Sequence, residues 1–169
     1  SNAASKAMGN RFIQVGNLRI QKHEVTVGEY AKCVQAGSCK EADTGGNRYN
    51  WRKNSRINHP INYVNWHDAT AYCRYIGARL PTEKEWEYAA KSGGRNNEYP
   101  WGNEKPSCRL AVYDDGNGNG CGKDRTWPVC SKTAGNTSQG LCDMAGNVYE
   151  WTNSWYDREK QDSRVLRGG

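Results

Sequence analysis

The sequence predicts an irregular, loop-rich α+β fold with a few short helices and small antiparallel sheets. Three observations carry that expectation. Seven Trp and ten Tyr stand against a single Phe in 169 residues, so the interior must use rings whose N–H and O–H groups need partners. Hydrophobic residues make up 36 % of the chain and mean hydropathy is −1.01, which leaves little material for continuous aliphatic layers. Nineteen glycines and seven cysteines point to many turns and to covalent staples that offset a thin core.

In chain order, residues 1–10 are set apart. Ser1-Asn2-Ala3 reads as the remnant of a cleaved tag before a disordered start, and residues 11–169 read as one domain. From Arg11 to Lys22, apolar residues partly alternate around Gly16-Asn17, which predicts two short strands and a turn at a sheet edge. Thr26 and Glu29 have capping-box spacing and Gly37 is a stop, giving a helix from Val27 to Ala36. Residues 40–62 carry Gly45-Gly46, several Asn and Pro60 without a period, so they read as a long loop held by Tyr49 and Trp51. Asn65 and Asp68 open a second helix. In it Trp66, Ala69, Cys73 and Ile76 share helical spacing, so Cys73 should face a core. Thr82 and Glu85 form the clearest capping box, starting a third helix that runs to about Lys91. Glu83, Glu85 and Glu87 suit its dipole better than they suit acid–base catalysis, since no histidine partners them.

Composition and motifs exclude several functions. A net charge of +6 is scattered, without the basic stripe and interleaved aromatics that nucleic acid requires. No run approaches the length of a membrane span. Phosphate loops, Gly-x-Ser-x-Gly elbows and His-Glu-x-x-His are missing, and His23, His59 and His67 stand apart in sequence. The cysteines contain no Cys-x-x-Cys pair or zinc spacing, so disulfides in an oxidising compartment are the better reading. Loop lengths and cysteine order favour Cys33–Cys39, Cys108–Cys121 and Cys130–Cys142, leaving Cys73 reduced. Asp115-Gly116-Asn117-Gly118-Asn119-Gly120 matches only the first half of an EF-hand loop. Thr126 stands where the bidentate glutamate belongs, so a turn staple is the better account.

The stretch with the most chemistry is Asp143-Met144-Ala145-Gly146-Asn147-Val148-Tyr149-Glu150-Trp151. Two carboxylates bracket a glycine turn, and carboxylates with carbonyls on a tight turn suit a hard cation such as calcium. A simpler arrangement is also open: Asp143 capping a turn and Glu150 paired with a buried arginine. Trp151 and Trp155 would share a face if the segment coils.

Several stretches together resemble the formylglycine-generating enzyme, or sulfatase-modifying factor, family. They are Glu24-Val25-Thr26-Val27-Gly28-Glu29-Tyr30, His59-Pro60-Ile61-Asn62 with Val64-Asn65-Trp66, Arg79 to Ala90, Tyr99-Pro100-Trp101-Gly102, Asp143 to Trp151, and Arg164-Val165-Leu166-Arg167-Gly168-Gly169. The resemblance implies an α+β, C-type-lectin-like fold. It also implies calcium held by Asp143, Gly146, Val148 and Glu150. A second family calcium site would fall near Val112, Tyr113, Cys121 and Lys123, where a cysteine and a lysine replace ligands and a disulfide is expected instead. The family's enzymes bind Cu(I) through two cysteines beyond the Arg-Gly-Gly motif, so copper is expected only if a further C-terminal segment supplies them, and the domain reads as truncated at that end. The expectation is a bacterial-type exported domain, periplasmic or extracellular, stabilised by disulfides and calcium. It would bind a protein or peptide ligand, with no nucleic acid and no membrane insertion. Two alternatives are a truncated oxidase of sulfatase-like cysteine peptides and a retroelement-diversified lectin-like receptor.

Overall fold

The computed structural model describes residues 11–169; the tag remnant and disordered start expected over residues 1–10 lie outside the described residues. Strand β1 (Phe12–Val15) pairs antiparallel with β2 (Leu18–Gln21), with Val15 opposite Leu18. The two-residue turn between them puts Gly16 at φ +57°, a conformation open to glycine at little cost. This hairpin is a complete two-stranded sheet, not the edge of a larger one.

Three helices follow at the three capping signals. Helix α1 (Val27–Gln35) starts at Thr26, α2 (Trp66–Tyr75) at Asn65 and α3 (Glu83–Ala90) at Thr82, each with both hydrogen bonds of the capping box formed. Each satisfies two of the amide donors that a helix start leaves free. The ends fall one residue short of the reading for α1 and α3, at Gln35 and Ala90.

One core gathers on α1, where Tyr30 is 1 % exposed and meets Trp51 edge-on at 5.7 Å and Tyr72 in a stack at 6.1 Å. Trp51 and the stack of Tyr49 on Tyr63 at 3.6 Å anchor the long loop, as expected. A second core lies under α3, where Trp86, Ala89 and Ala90 meet Val15, Leu141 and Met144. The disulfides Cys33–Cys39, Cys108–Cys121 and Cys130–Cys142 are all formed. Cys73 carries a free thiol. It does not enter a core: it is half-buried on the wall of an open groove of about 1000 Å³, beside Ile76 and near Met144.

The segment after the Asp143 turn does not coil. Residues Glu150–Trp155 form β3, antiparallel to β4 (Arg164–Arg167), with Glu150 opposite Arg167 and Trp155 opposite Arg164. Trp and Thr suit a pleated surface, and the capping-box spacing of Asn147 and Glu150 is not used, because Asn147 bonds Trp127 and Glu24 while Glu150 bonds Trp86. Trp151 Nε1 donates to the Val64 carbonyl at 3.0 Å, and Trp66 Nε1 donates to the Thr152 carbonyl at 3.1 Å, which locks the hairpin to the start of α2.

Candidate metal centre

The turn before β3 is pinned by its backbone. Asp143, Gly146 and Asn147 have φ of +54°, +89° and +69°. Gly146 has no substitute, because a Cβ there would stand 2.4 Å from the Val112 carbonyl oxygen. Asn147 donates its amide N–H to that same carbonyl at 2.7 Å. Its side chain accepts from Trp127 N at 3.0 Å and donates to the Trp127 carbonyl at 3.1 Å. Gly146 and Val148, the two expected carbonyl ligands, therefore flank a fully tethered residue. The Gly146 carbonyl accepts from Val148 N at 3.0 Å and keeps its second lone pair.

The two carboxylates of the sequence motif sit differently from the simple arrangement. Asp143 is 7 % exposed, and its Oδ2 accepts from Cys130 N at 2.6 Å, on the partner loop of the Cys130–Cys142 disulfide and not on its own turn. Glu150 Oε2 accepts from Trp86 Nε1 at 3.0 Å. Among the described residues no arginine neutralises it: Arg167, opposite on β4, bonds Glu83 at 3.2 Å. The arginine pair left open by the sequence is thus not the one formed.

A third carboxylate joins them, which the sequence reading did not assign to the site. Glu24 is 9 % exposed, its Oε1 accepts from Asn147 Nδ2 at 3.1 Å, and its buried Oε2 has no hydrogen-bond partner. Burial, then the charges of Asp143 and Glu150, push the Glu24 carboxyl well above the usual carboxylate range. Burial also raises Glu150, to about 7, against the Trp86 hydrogen bond and with a further push from Asp143. The signals in the sequence were its position two residues before the cap of α1 and its place at the head of the first family-like stretch, neither of which assigns it chemistry. An uncompensated buried carboxylate is costly, and oxygen-rich surroundings of one sign suit a hard cation. Among the described residues no three His, Cys, Asp or Glu side chains could hold an ion by themselves. The donor set fits calcium only with the Gly146 and Val148 carbonyls, a mixture that calcium accepts.

The other expected places are structural. Cys121 is bonded to Cys108 and donates its N–H to the Tyr113 carbonyl at 2.8 Å, so the second family position carries a disulfide. In the Asp115 to Gly120 stretch, Asp114 Oδ1 accepts from Gly116 N at 3.0 Å and Gly118 N at 3.2 Å, a self-contained turn staple. Glu85 closes its capping box and pairs with Arg79, and Glu87 pairs with Lys91. Burial pushes the Cys73 thiol up to about 11, away from the thiolate that binds soft metals.

Comparison with known proteins agrees with this architecture. The model of the family described as "Sulfatase-modifying factor enzyme 1-like domain" matches residues 3–169. "Inactive C-alpha-formylglycine-generating enzyme 2" of Bos taurus is 42 % identical over 117 residues, covering 67 % of this chain and 38 % of the relative. "Formylglycine-generating enzyme" of Streptomyces coelicolor is 42 % identical over 108 residues, covering 60 % of this chain and 34 % of the relative. The chain thus matches only between a third and two-fifths of the length of these relatives. Among solved structures, Treponema denticola variable protein 1 superposes with a TM-score of 0.62 at 22 % identity, covering 89 % of this chain and 72 % of that one. CarF superposes with a TM-score of 0.66 at 19 % identity, covering 92 % and 78 %. Both share the fold. With the family motifs in order along its length, the chain belongs to the sulfatase-modifying factor enzyme 1-like family.

Proposed function

We propose that these residues form an exported, calcium-stabilised binding module of the family that carries out no cysteine oxidation of its own. The observation that carries this reading is the state of the thiols. Six of the seven cysteines are consumed in three local disulfides, and the seventh, Cys73, is alone on α2. A Cu(I) centre of the family's kind needs two soft thiolates on one ion, and no pair is available here. Calcium would be held by Asp143, Glu150 and the carbonyls of Gly146 and Val148. It would supply the positive charge that the turn lacks and would cross-link the disulfide loop to β3. The three disulfides support an oxidising compartment, periplasmic or extracellular. Exposed Tyr149 and Tyr156, at 68 % and 81 %, support contact with a protein or peptide ligand.

A second reading is favoured by the comparisons: the identity to a formylglycine-generating enzyme, 42 %, equals that to an inactive relative. On that reading a cysteine pair beyond Gly169 completes an oxidase. The deciding experiment incubates this chain with a cysteine-containing sulfatase peptide, Cu(I), reductant and oxygen, followed by mass spectrometry. No loss of sulfur above the copper-only control is expected. Turnover that disappears in Cys130→Ser would overturn the binding-module reading, and a cysteine pair in the gene past Gly169 would favour the enzyme.

A further inference from the structure

We propose that Glu24 is the charge partner of the turn at Asp143 to Glu150, a third carboxylate that sets how strongly, and for which ionic charge, that turn binds a cation. The inference rests on the calcium reading above and deepens it. Glu24 comes from a different part of the chain, more than a hundred residues before the turn, and its backbone is fixed there. The Val25 carbonyl accepts from Ile61 N at 2.7 Å, the Glu24 carbonyl meets His23 Nδ1 at 2.7 Å, and Thr26 caps α1. The side chain is therefore carried into the interior by a rigid segment and is not a surface group folded inward.

Its side chain is tied to the turn itself. Oε1 is bonded to Asn147 Nδ2, and Asn147 is the residue between the two carbonyl donors, Gly146 and Val148. Oε2 is enclosed without a donor, and the carboxyl faces that of Asp143, to which it can bond only by sharing a proton. An isolated buried carboxylate oxygen costs free energy unless a charge or a donor answers it, yet the charged groups that face it are Asp143 and Glu150, of the same sign. The described ion pairs supply no arginine or lysine to Glu24, Asp143 or Glu150. Three acids of one sign make a locus that either takes up protons or is answered by a cation. The side chains do not close on one point, so Glu24 acts through space and through Asn147, as a positioning residue and not as a direct ligand. Ligand charge count is one of the two quantities that tune calcium affinity in proteins.

The test uses terbium as a probe beside calcium, because Trp86 donates directly to Glu150 and can sensitise a bound lanthanide. Binding of Ca²⁺ and Tb³⁺ is measured for wild type, Glu24→Gln and Glu150→Gln. Glutamine keeps the acceptor for Asn147, removes the charge and places an amide N–H₂ donor where Oε2 stands. Coulomb energy scales with the charge of the ion, so a loss of about tenfold for Ca²⁺ implies about thirtyfold for Tb³⁺. The ion-free melting point of Glu24→Gln should rise while its calcium increment shrinks. If Glu24→Gln weakens both ions equally and melts lower without ions, Glu24 is merely structural and the proposal fails. If Glu150→Gln abolishes binding and Glu24→Gln changes neither affinity, the calcium site stands and this inference falls. If wild type binds neither ion, both fall together. Should Glu24→Gln not fold, the Glu24 side-chain carboxyl ¹³C resonance of the wild type decides. It must move on calcium addition with the same midpoint as that of Glu150, and a stationary signal overturns the proposal.

Discussion

Two buried polar clusters in this protein follow opposite rules, one around Arg56 and one around Glu24. Arg56 is 5 % exposed, and its guanidinium donates to Asn50 Oδ1 at 2.9 Å, to Asn47 Oδ1 at 2.7 Å and to the carbonyls of Asn47 and Tyr49. Asn50, fully buried, donates to the Pro60 carbonyl and to Thr126 Oγ1, both at 2.8 Å, and Thr126 in turn meets His59 Nδ1 at 2.8 Å. The buried guanidinium is thus bonded to neutral dipoles, with Arg125 the nearby like charge, and each link hands its hydrogen bond to the next. Around Glu24, three acids face one another with an oxygen left over. A satisfied network fixes a loop; a surplus of one sign calls for a counterion. The comparison sets polar burial that closes a loop against polar burial that the calcium proposal would turn into a site.

The largest expected effect lies in the satisfied cluster. Asn50→Ala removes one of the four acceptors of a buried guanidinium and, with the side-chain amide, the donor to Pro60 and Thr126. It should cost about 3 kcal/mol, or about 6–12 °C in a protein of this size. Thermal melts with calcium and with chelator should show the same loss. A loss that depends on calcium would mean that the two clusters are coupled and would break the comparison.

The next effect belongs to the surplus cluster. Calcium at about a hundred times its dissociation constant should stabilise the fold by about 2.7 kcal/mol, or about 5–10 °C, and chelator should remove that gain. Glu150→Ala should melt alike under both conditions. A wild type indifferent to calcium and chelator would leave the surplus charge unexplained and the calcium reading without support.

How much of this was legible follows from the range of each interaction. The three helix starts were readable because a capping box is complete within four residues, as at Thr26 and Glu29. The three disulfides were readable because their loops are short, six to thirteen residues. Strand β3 was missed, since its evidence is its partner: Glu150 meets Arg167 across a loop, and neither segment announces the other. Glu24 was missed for the same reason, because it reaches Asn147 over 123 residues. The motif Asp143 to Glu150 was visible as a carboxylate-bracketed turn. Whether an arginine answered Glu150 depended on Arg167 turning to Glu83, a choice made by tertiary packing.

The pH dependence should set the clusters against each other. Glu150, raised to about 7, and Glu24, raised well above the usual carboxylate range, are held more easily as neutral acids in the folded chain than in the unfolded one. In chelator their contribution is fully present below about pH 4.5 and is lost as pH rises through about 7. His59 runs the other way. Burial, then Arg56 and Arg125, lower it to about 4 from 6.5, so its contribution holds above about 6.5 and is lost as pH falls toward 4. Melting points across pH 4–8 in chelator should therefore rise on the acid side in His59→Asn relative to wild type. Calcium should flatten only the alkaline limb. A calcium effect confined to the acid limb would contradict the assignment of the surplus cluster.

The smallest effect asks whether the cation turn acts at a distance along its own strand. Arg164 lies 3.4 Å from the Trp155 ring centre and 4.2 Å from that of Trp66, a cation sandwiched by two indoles. The planar guanidinium stacks where a lysine ammonium cannot, so Arg164→Lys should cost about 1 kcal/mol, or about 2–4 °C. Trp155 is at the far end of β3 from Glu150, five residues and about 17 Å of strand away. Sites so separated, with no shared partner, are additive within about 0.5 kcal/mol. The calcium increment measured in Arg164→Lys should therefore equal that of wild type. A reduced increment would mean that ion binding at the turn also tightens the far end of the hairpin, so that the surplus cluster organises β3 and β4 as a unit instead of closing one turn.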